Sequence, residues 1–367
     1  MVLGSIDKSI TYSRSLYESA NAYGFGYLPN TLALMPAGWL DEENAWLAFL
    51  YGLSYERVLP EKTDDDNRAW NEYIERIRRL LLEGSPVQIG RGWVKWWGYK
   101  EEQGKIKQDL MGRLFWWEGM TTRARPDMHY FTAVGMDESR NVLIVNDGIY
   151  GWIGKAAYEE INLDILKKVV PLTPPQHKYI TVTFKKSDTP RKDDREIDRL
   201  VKDRVIKKIQ GNPSVYDKLE TWRLFYTYDR FPGFLYSNKA LAAFKDDLYP
   251  GKFARILKFH QQSRNVNPAD IISWLDLWVY HYSYVASVSA EYLEENGRLK
   301  EWEWLFNHHI LYEKLWASTT LLRSVFKNDK NVNQAVEKSK PILKKMRLTI
   351  DEMIKHFELY LEQPKSG

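Results

Sequence analysis

Two residues of the 367-residue chain have the types and spacing for acid–base chemistry. His129 begins the run His129-Tyr130-Phe131-Thr132-Ala133-Val134-Gly135-Met136, and the apolar run Val142-Leu143-Ile144-Val145 ends in Asn146-Asp147-Gly148. Asp137 to Asn141 between them has turn composition, so the two runs read as an antiparallel hairpin. The start of the first strand and the end of the second then share one sheet edge, which sets an imidazole beside the Asp147 carboxylate, with Asn146 adjacent. A histidine oriented by an acid is the base half of a nucleophilic mechanism. The same pair also arises as a plain structural hydrogen bond between a strand-end His and a turn Asp.

Composition removes the commonest partner for such a base. The chain has no Cys, which excludes disulfides, Cys-ligated zinc, iron–sulfur clusters and a thiolate nucleophile. Phosphate-loop, dinucleotide, Gly-x-Ser-x-Gly and His-Glu-x-x-His signatures are absent as well. His281, His308 and His309 fall on two helical segments with Asp276, but neither segment carries Glu-x-x-His, so no metal and no cofactor are expected. Aromatic residues are plentiful: 15 Trp, 23 Tyr and 14 Phe. Trp93, Trp96, Trp97, Trp116 and Trp117 lie among glycines just ahead of His129. They have the chemistry to line a pocket for an apolar, planar or sugar-like ligand, and equally to pack a contact between domains.

The elements that must position these residues divide the chain in two. Asp41 to Tyr51 and Asp64 to Glu83 have helical period, Val87 to Ile89 and Tyr130 to Met136 are strands, Lys155 to Val170 looks helical, and Tyr179 to Phe184 alternates as a strand. Lys185 to Arg195 is charged and proline-interrupted, a linker composition. Beyond it Pro213 to Asp229, Asn238 to Tyr249, Pro268 to Glu295, Arg298 to Phe326 and Asn333 to Leu361 are helical. Asn267-Pro268 is a helix start and Asn296-Gly297 a helix stop. The expectation is an α+β chain: an N-terminal domain over 1–186 with an antiparallel sheet, and an all-α helical bundle over 187–367.

The order His129-led strand, turn, second strand ending in Asp147 resembles the His and Asp half of the papain-like fold as found in C39-like peptidases. Glu83 to Ile89 resembles the segment before the first core strand of that family. Asp41-Glu42-Glu43 with Tyr51-Gly52-Leu53-Ser54 is similar to the helix that follows the nucleophile helix. A C39-like domain followed by a helical domain is the arrangement of relatives of the butirosin-biosynthesis acyltransferase. The resemblance implies a Cys at a helix N-terminus and a Gln ahead of it for the oxyanion hole. The corresponding stretch, Asn21 to Thr31, has neither. Asn21 could replace the amide donor, Thr31 the nucleophile, and Tyr27 could line the cleft. The implied protein is a degenerate member that binds a small molecule or peptide near His129. A hydroxyl- or water-based acyltransferase or hydrolase, and an oligomeric scaffold, are the alternatives.

Charge adds exclusions. Lys and Arg number 53 against 49 Asp and Glu, a net +4 without a concentrated basic stripe, so no nucleic-acid partner is expected. Ile271 to Ala290, the most apolar long segment, contains Asp276, His281 and serines, which argues against a membrane span. Met1 to Ile10 lack a signal-peptide pattern, so a cytoplasmic location is expected, with a homo-oligomer left open. A Cys-free, charge-laced surface would also suit a thermophile.

Overall fold

The computed structural model describes residues 9–35, 41–58, 65–92, 128–146, 158–169, 179–212, 235–264, 266–329 and 331–362. The chain opens with α1 (Tyr12–Glu18), a 3-10 turn (Asn21–Tyr23), β1 (Gly26–Leu28), β2 (Ala33–Met35) and α2 (Asp41–Tyr51). It continues through β3 (Leu53–Val58), α3 (Asp66–Leu82), β4 (Val87–Gly92), β5 (Met128–Asp137), β6 (Val142–Asn146), β7 (Tyr158–Asn162), α4 (Leu163–Val169) and β8 (Thr181–Lys186). Then come α5 (Asp194–Ile209), β9 (Leu235–Tyr236), α6 (Ser237–Asp247), α7 (Pro250–Arg264), α8 (Pro268–Glu295), α9 (Leu299–Asn328) and α10 (Val332–Glu362). Two units result. One comprises 1–12, 48–192 and 224–226, and the other 13–47, 193–223 and 227–367.

The first unit is a six-stranded antiparallel sheet in the order β3-β8-β4-β5-β6-β7. Asp65 caps α3 by accepting the amides of Asn67 and Arg68, and Trp70, Tyr73, Ile77 and Leu80 recur at helical spacing on its buried face. They pack with Val87, Ile89, Ala133, Leu143, Val145 and Ile161 of the sheet into one core. The β5–β6 turn is built as its composition requires. Asp137 accepts from Ser139 Oγ at 2.7 Å and from the Arg140 amide at 3.2 Å, and Asn141 takes a left-handed φ of 54°. Arg140 also clamps Glu160 of β7 through two bonds, of 3.0 and 2.8 Å. The Arg140 guanidinium, whose Nε donates to Asp137 Oδ2 at 2.7 Å, and the Ser139 hydroxyl hold the Asp137 carboxyl down at about 2.

Lys155 to Val170 is not one helix. Tyr158 to Asn162 pairs with β6 as the edge strand, and the helix starts only at Leu163, where Asn162 Oδ1 accepts the amides of Asp164 and Ile165 at 2.9 and 3.3 Å. The capping Asn sets the boundary that periodicity alone blurs.

The second unit holds α5 to α10, but it is not all-α. β1 pairs with both β2 and β9 in a small antiparallel sheet. Tyr23, Phe25 and Tyr27 explain why residues 13–47 join these helices instead of the larger sheet. Tyr23 stacks on Trp304 at 5.3 Å, Phe25 on Tyr282 at 5.2 Å, and Tyr27 tilts against Phe244 at 5.1 Å. Burying three such rings is worth several kcal/mol, on the order of 2 each. The later passage between units falls at Lys192/Asp193, within the charged linker. The Asn267 cap with Pro268 opens α8, and Gly297 with φ of 66° follows its end. The expected helix Pro213 to Asp229 lies outside the described residues.

Candidate functional site

His129 lies near the start of β5, where its backbone pairs with Arg91 of β4. On the other side β6 ends at Asn146, which pairs with Thr132. Asn146 and His129 are therefore at the same end of the sheet, three residues apart in register, or about 10 Å along the strand. Asp147 lies outside the described residues, as do Trp93, Trp96, Trp97, Trp116 and Trp117. A bulge between Ala133 and Gly135 shifts the register on the turn side and leaves this end in regular pairing.

Asn21, Tyr27 and Thr31 belong to the second unit, and His129 to the first. The stretch that the resemblance aligns with the nucleophile helix forms instead the 3-10 turn, β1 and a turn into β2. There is thus no helix N-terminus at this point to lower the pKa of a nucleophile. Thr31 is 4% exposed; its hydroxyl donates to the Leu28 carbonyl at 2.6 Å and accepts the Ala33 amide at 3.1 Å. Asn21 accepts from Lys208 Nζ at 2.7 Å. Tyr27 donates its phenol to the buried Asp247, which also accepts the Asn30 amide, and burial together with Asp247 pushes the phenol well above its usual range. All three side chains are committed to the fold. Thr31→Val should cost about 1–2 kcal/mol in urea unfolding, since the buried Leu28 carbonyl and the half-buried Ala33 amide lose their partner; no loss of stability would show that the turn bonds are not formed.

The structure assembles two buried clusters, the first of which sequence reasoning missed. Glu43 Oε1 accepts from Arg204 Nη2 and from Lys208 Nζ, each at 2.8 Å, and Arg204 Nε donates to the Ser19 carbonyl at 3.2 Å. The guanidinium also lies 4.7 Å over the Trp46 ring. The Lys208 side chain is 0% exposed. A signal existed: Arg204 and Lys208 continue the apolar face Ile197, Val201, Val205 of α5, and charges at core positions need a buried counter-ion.

The second cluster surrounds His308. Its ring is buried against Trp304 at 5.1 Å, Tyr312 at 4.7 Å, Phe357 at 4.8 Å and His356 at 5.4 Å. Neither ring nitrogen has a hydrogen-bond partner among the described residues. His309 instead meets Ser283 at 3.1 Å, and Asp276 accepts from Thr319 and Thr320 at 2.9 and 2.8 Å beside Arg323. Among the described residues no group of three or more His, Asp or Glu is placed to hold a metal ion.

Burial holds His308 far below the usual histidine range and His281 at about 4. In the unfolded chain both take up protons near pH 6.5. The unfolded state therefore binds more protons below that pH. Stability is full above about 6.5 and falls on acidification by up to about 1.4 kcal/mol per unit for each histidine. The His281 contribution is lost as pH approaches 4. Urea unfolding at several pH values between 7.5 and 5 should show this slope, and His308→Phe should flatten it. An unchanged slope in that variant would contradict a neutral buried His308.

No protein-family model and no curated protein matches the chain. No helix among the described residues is long and apolar enough to cross a membrane.

Proposed function

We propose that the sheet-bearing unit is a catalytically degenerate papain-like domain of the C39-like kind, which holds a small molecule or peptide in a residual cleft near His129 without forming a covalent intermediate. The observation that carries this reading is the antiparallel β4–β5–β6 order of the first unit, which sets His129 and Asn146 at one end of the sheet. The absence of Cys supports the degenerate part of it. Thr31, the hydroxyl on the stretch that the resemblance aligns with the nucleophile, belongs to the other unit and is tied to Leu28 and Ala33, so it offers no replacement. Trp93, Trp96, Trp97, Trp116 and Trp117, which lie ahead of His129 in the sequence, have the chemistry to supply apolar contact to such a ligand at low entropy cost.

The test compares wild type with His129→Ala on short-peptide anilides and small acyl thioesters, and titrates the uncleavable peptide amides against tryptophan emission. The expected outcome is equal background turnover in both proteins, and saturable emission changes weakened about tenfold by Trp96→Ala. Turnover by wild type that His129→Ala abolishes would overturn the proposal in favour of hydroxyl- or water-based catalysis.

A further inference from the structure

Exposed large apolar side chains concentrate on one face of the α9–α10 pair. Leu299, Phe306, Ile310 and Leu321 of α9 are between 38% (Ile310) and 63% (Leu299) exposed, and Ala317 is exposed between them. Their steps of seven and four residues place them along a single stripe. On α10 the exposed residues Leu348, Glu352, Lys355 and Leu359 form a second stripe with steps of four and three. The two stripes are neighbours, because Lys314 Nζ of α9 meets Glu352 Oε2 of α10 at 3.0 Å. A row of exposed apolar side chains as long as that on α9 is uncommon on a monomer and marks a contact site.

We propose that this face takes a second copy of the chain, with α9 lying antiparallel on its counterpart about a two-fold axis at Ile310. The stripe is self-complementary in that arrangement. With Ile310 opposite Ile310, Leu299 of one protomer meets Leu321 of the other, at both ends. Glu303 and Lys314, exposed on the same flank of α9, come within one helical turn of each other across the axis, so each protomer offers an acid to its partner's base. Size fits as well. From Leu299 to Leu321 the stripe is about 33 Å long. Two helices about 10 Å apart give a footprint roughly 20 Å wide, or about 650 Å², near the roughly 800 Å² per partner of a stable dimer. The inference is independent of the reading of the His129 cleft.

Sedimentation velocity on the full chain from about 1 to 100 μM tests it. Wild type should sediment at about twice the 43.4 kDa chain mass. Ile310→Glu, a substitution at an exposed position, should sediment as a monomer with its helical circular dichroism intact. Leu82→Glu, at an exposed position on α3 of the other unit, should remain dimeric. Glu303→Lys should weaken the dimer about tenfold, and Glu303→Lys with Lys314→Glu should restore it. A monomeric wild type at about 100 μM, or a dimer that survives Ile310→Glu, would overturn the proposal.

Discussion

Glu43→Ala should lower the unfolding free energy by about 3–5 kcal/mol, the characteristic loss when one partner of a buried ion pair is removed and the other stays. The effect is large because Glu43 serves two cations at once. Arg204 and Lys208 both reach its Oε1 at 2.8 Å, and neither can move to water without disturbing the packed face of α5. Deleting the carboxylate strands two positive charges in the interior. Lys208→Met is the informative comparison. It leaves the Glu43–Arg204 pair intact and removes the ammonium with its bonds to Glu43 and Asn21, so its cost should be about 1–2 kcal/mol. Urea unfolding of the two variants checks the ranking. A Glu43→Ala loss below about 1 kcal/mol would mean that the cations are hydrated in solution.

Gly52→Ala should destabilise the first unit by about 3 kcal/mol or more. Gly52 ends α2 with φ of 63°, and a Cβ there would meet the Thr189 carbonyl oxygen at 2.4 Å and the Arg191 amide nitrogen at 2.7 Å. Both are backbone atoms, so no side-chain rotation relieves the contact. Ser187 Oγ donates to the Gly52 carbonyl at 2.9 Å and the Lys192 amide to the Leu50 carbonyl at 3.2 Å, which ties the two segments together at this close approach. Gly84→Ala is the control. Its φ of 74° carries the same left-handed strain, but nothing lies within 4 Å of the added Cβ, so only the conformational cost of about 1 kcal/mol is expected. Equal losses at the two positions would show that the 187–192 segment does not pack on Gly52.

Long periodic elements were legible from local chemistry. α3, α8, α9 and α10 follow their apolar stripes, and the Asn267-Pro268 start and Asn296-Gly297 stop stand where capping places them. What escaped depends on partners distant in sequence. β9 is a two-residue strand that exists because β1 pairs with it, and nothing in Leu235-Tyr236 alone distinguishes it from a loop. Tyr27 reads as a cleft-lining residue, yet it and its neighbours Tyr23 and Phe25 find their ring partners Phe244, Trp304 and Tyr282 among the later helices. Thr31 and Asn21 carry the right atoms for catalysis, but a short turn and a buried lysine use those atoms first. The hairpin holding His129 and Asn146 was readable because its turn residues and β-forming runs are contiguous.

The proposed absence of covalent acyl chemistry on the His129-bearing sheet is open to a direct check by intact-mass measurement. Wild type incubated with a small acyl thioester and quenched in acid should show its unmodified chain mass at every time point, in wild type and His129→Ala alike. A stoichiometric acyl mass increment that maps to Thr31 or another hydroxyl, and that disappears in His129→Ala, would contradict the account.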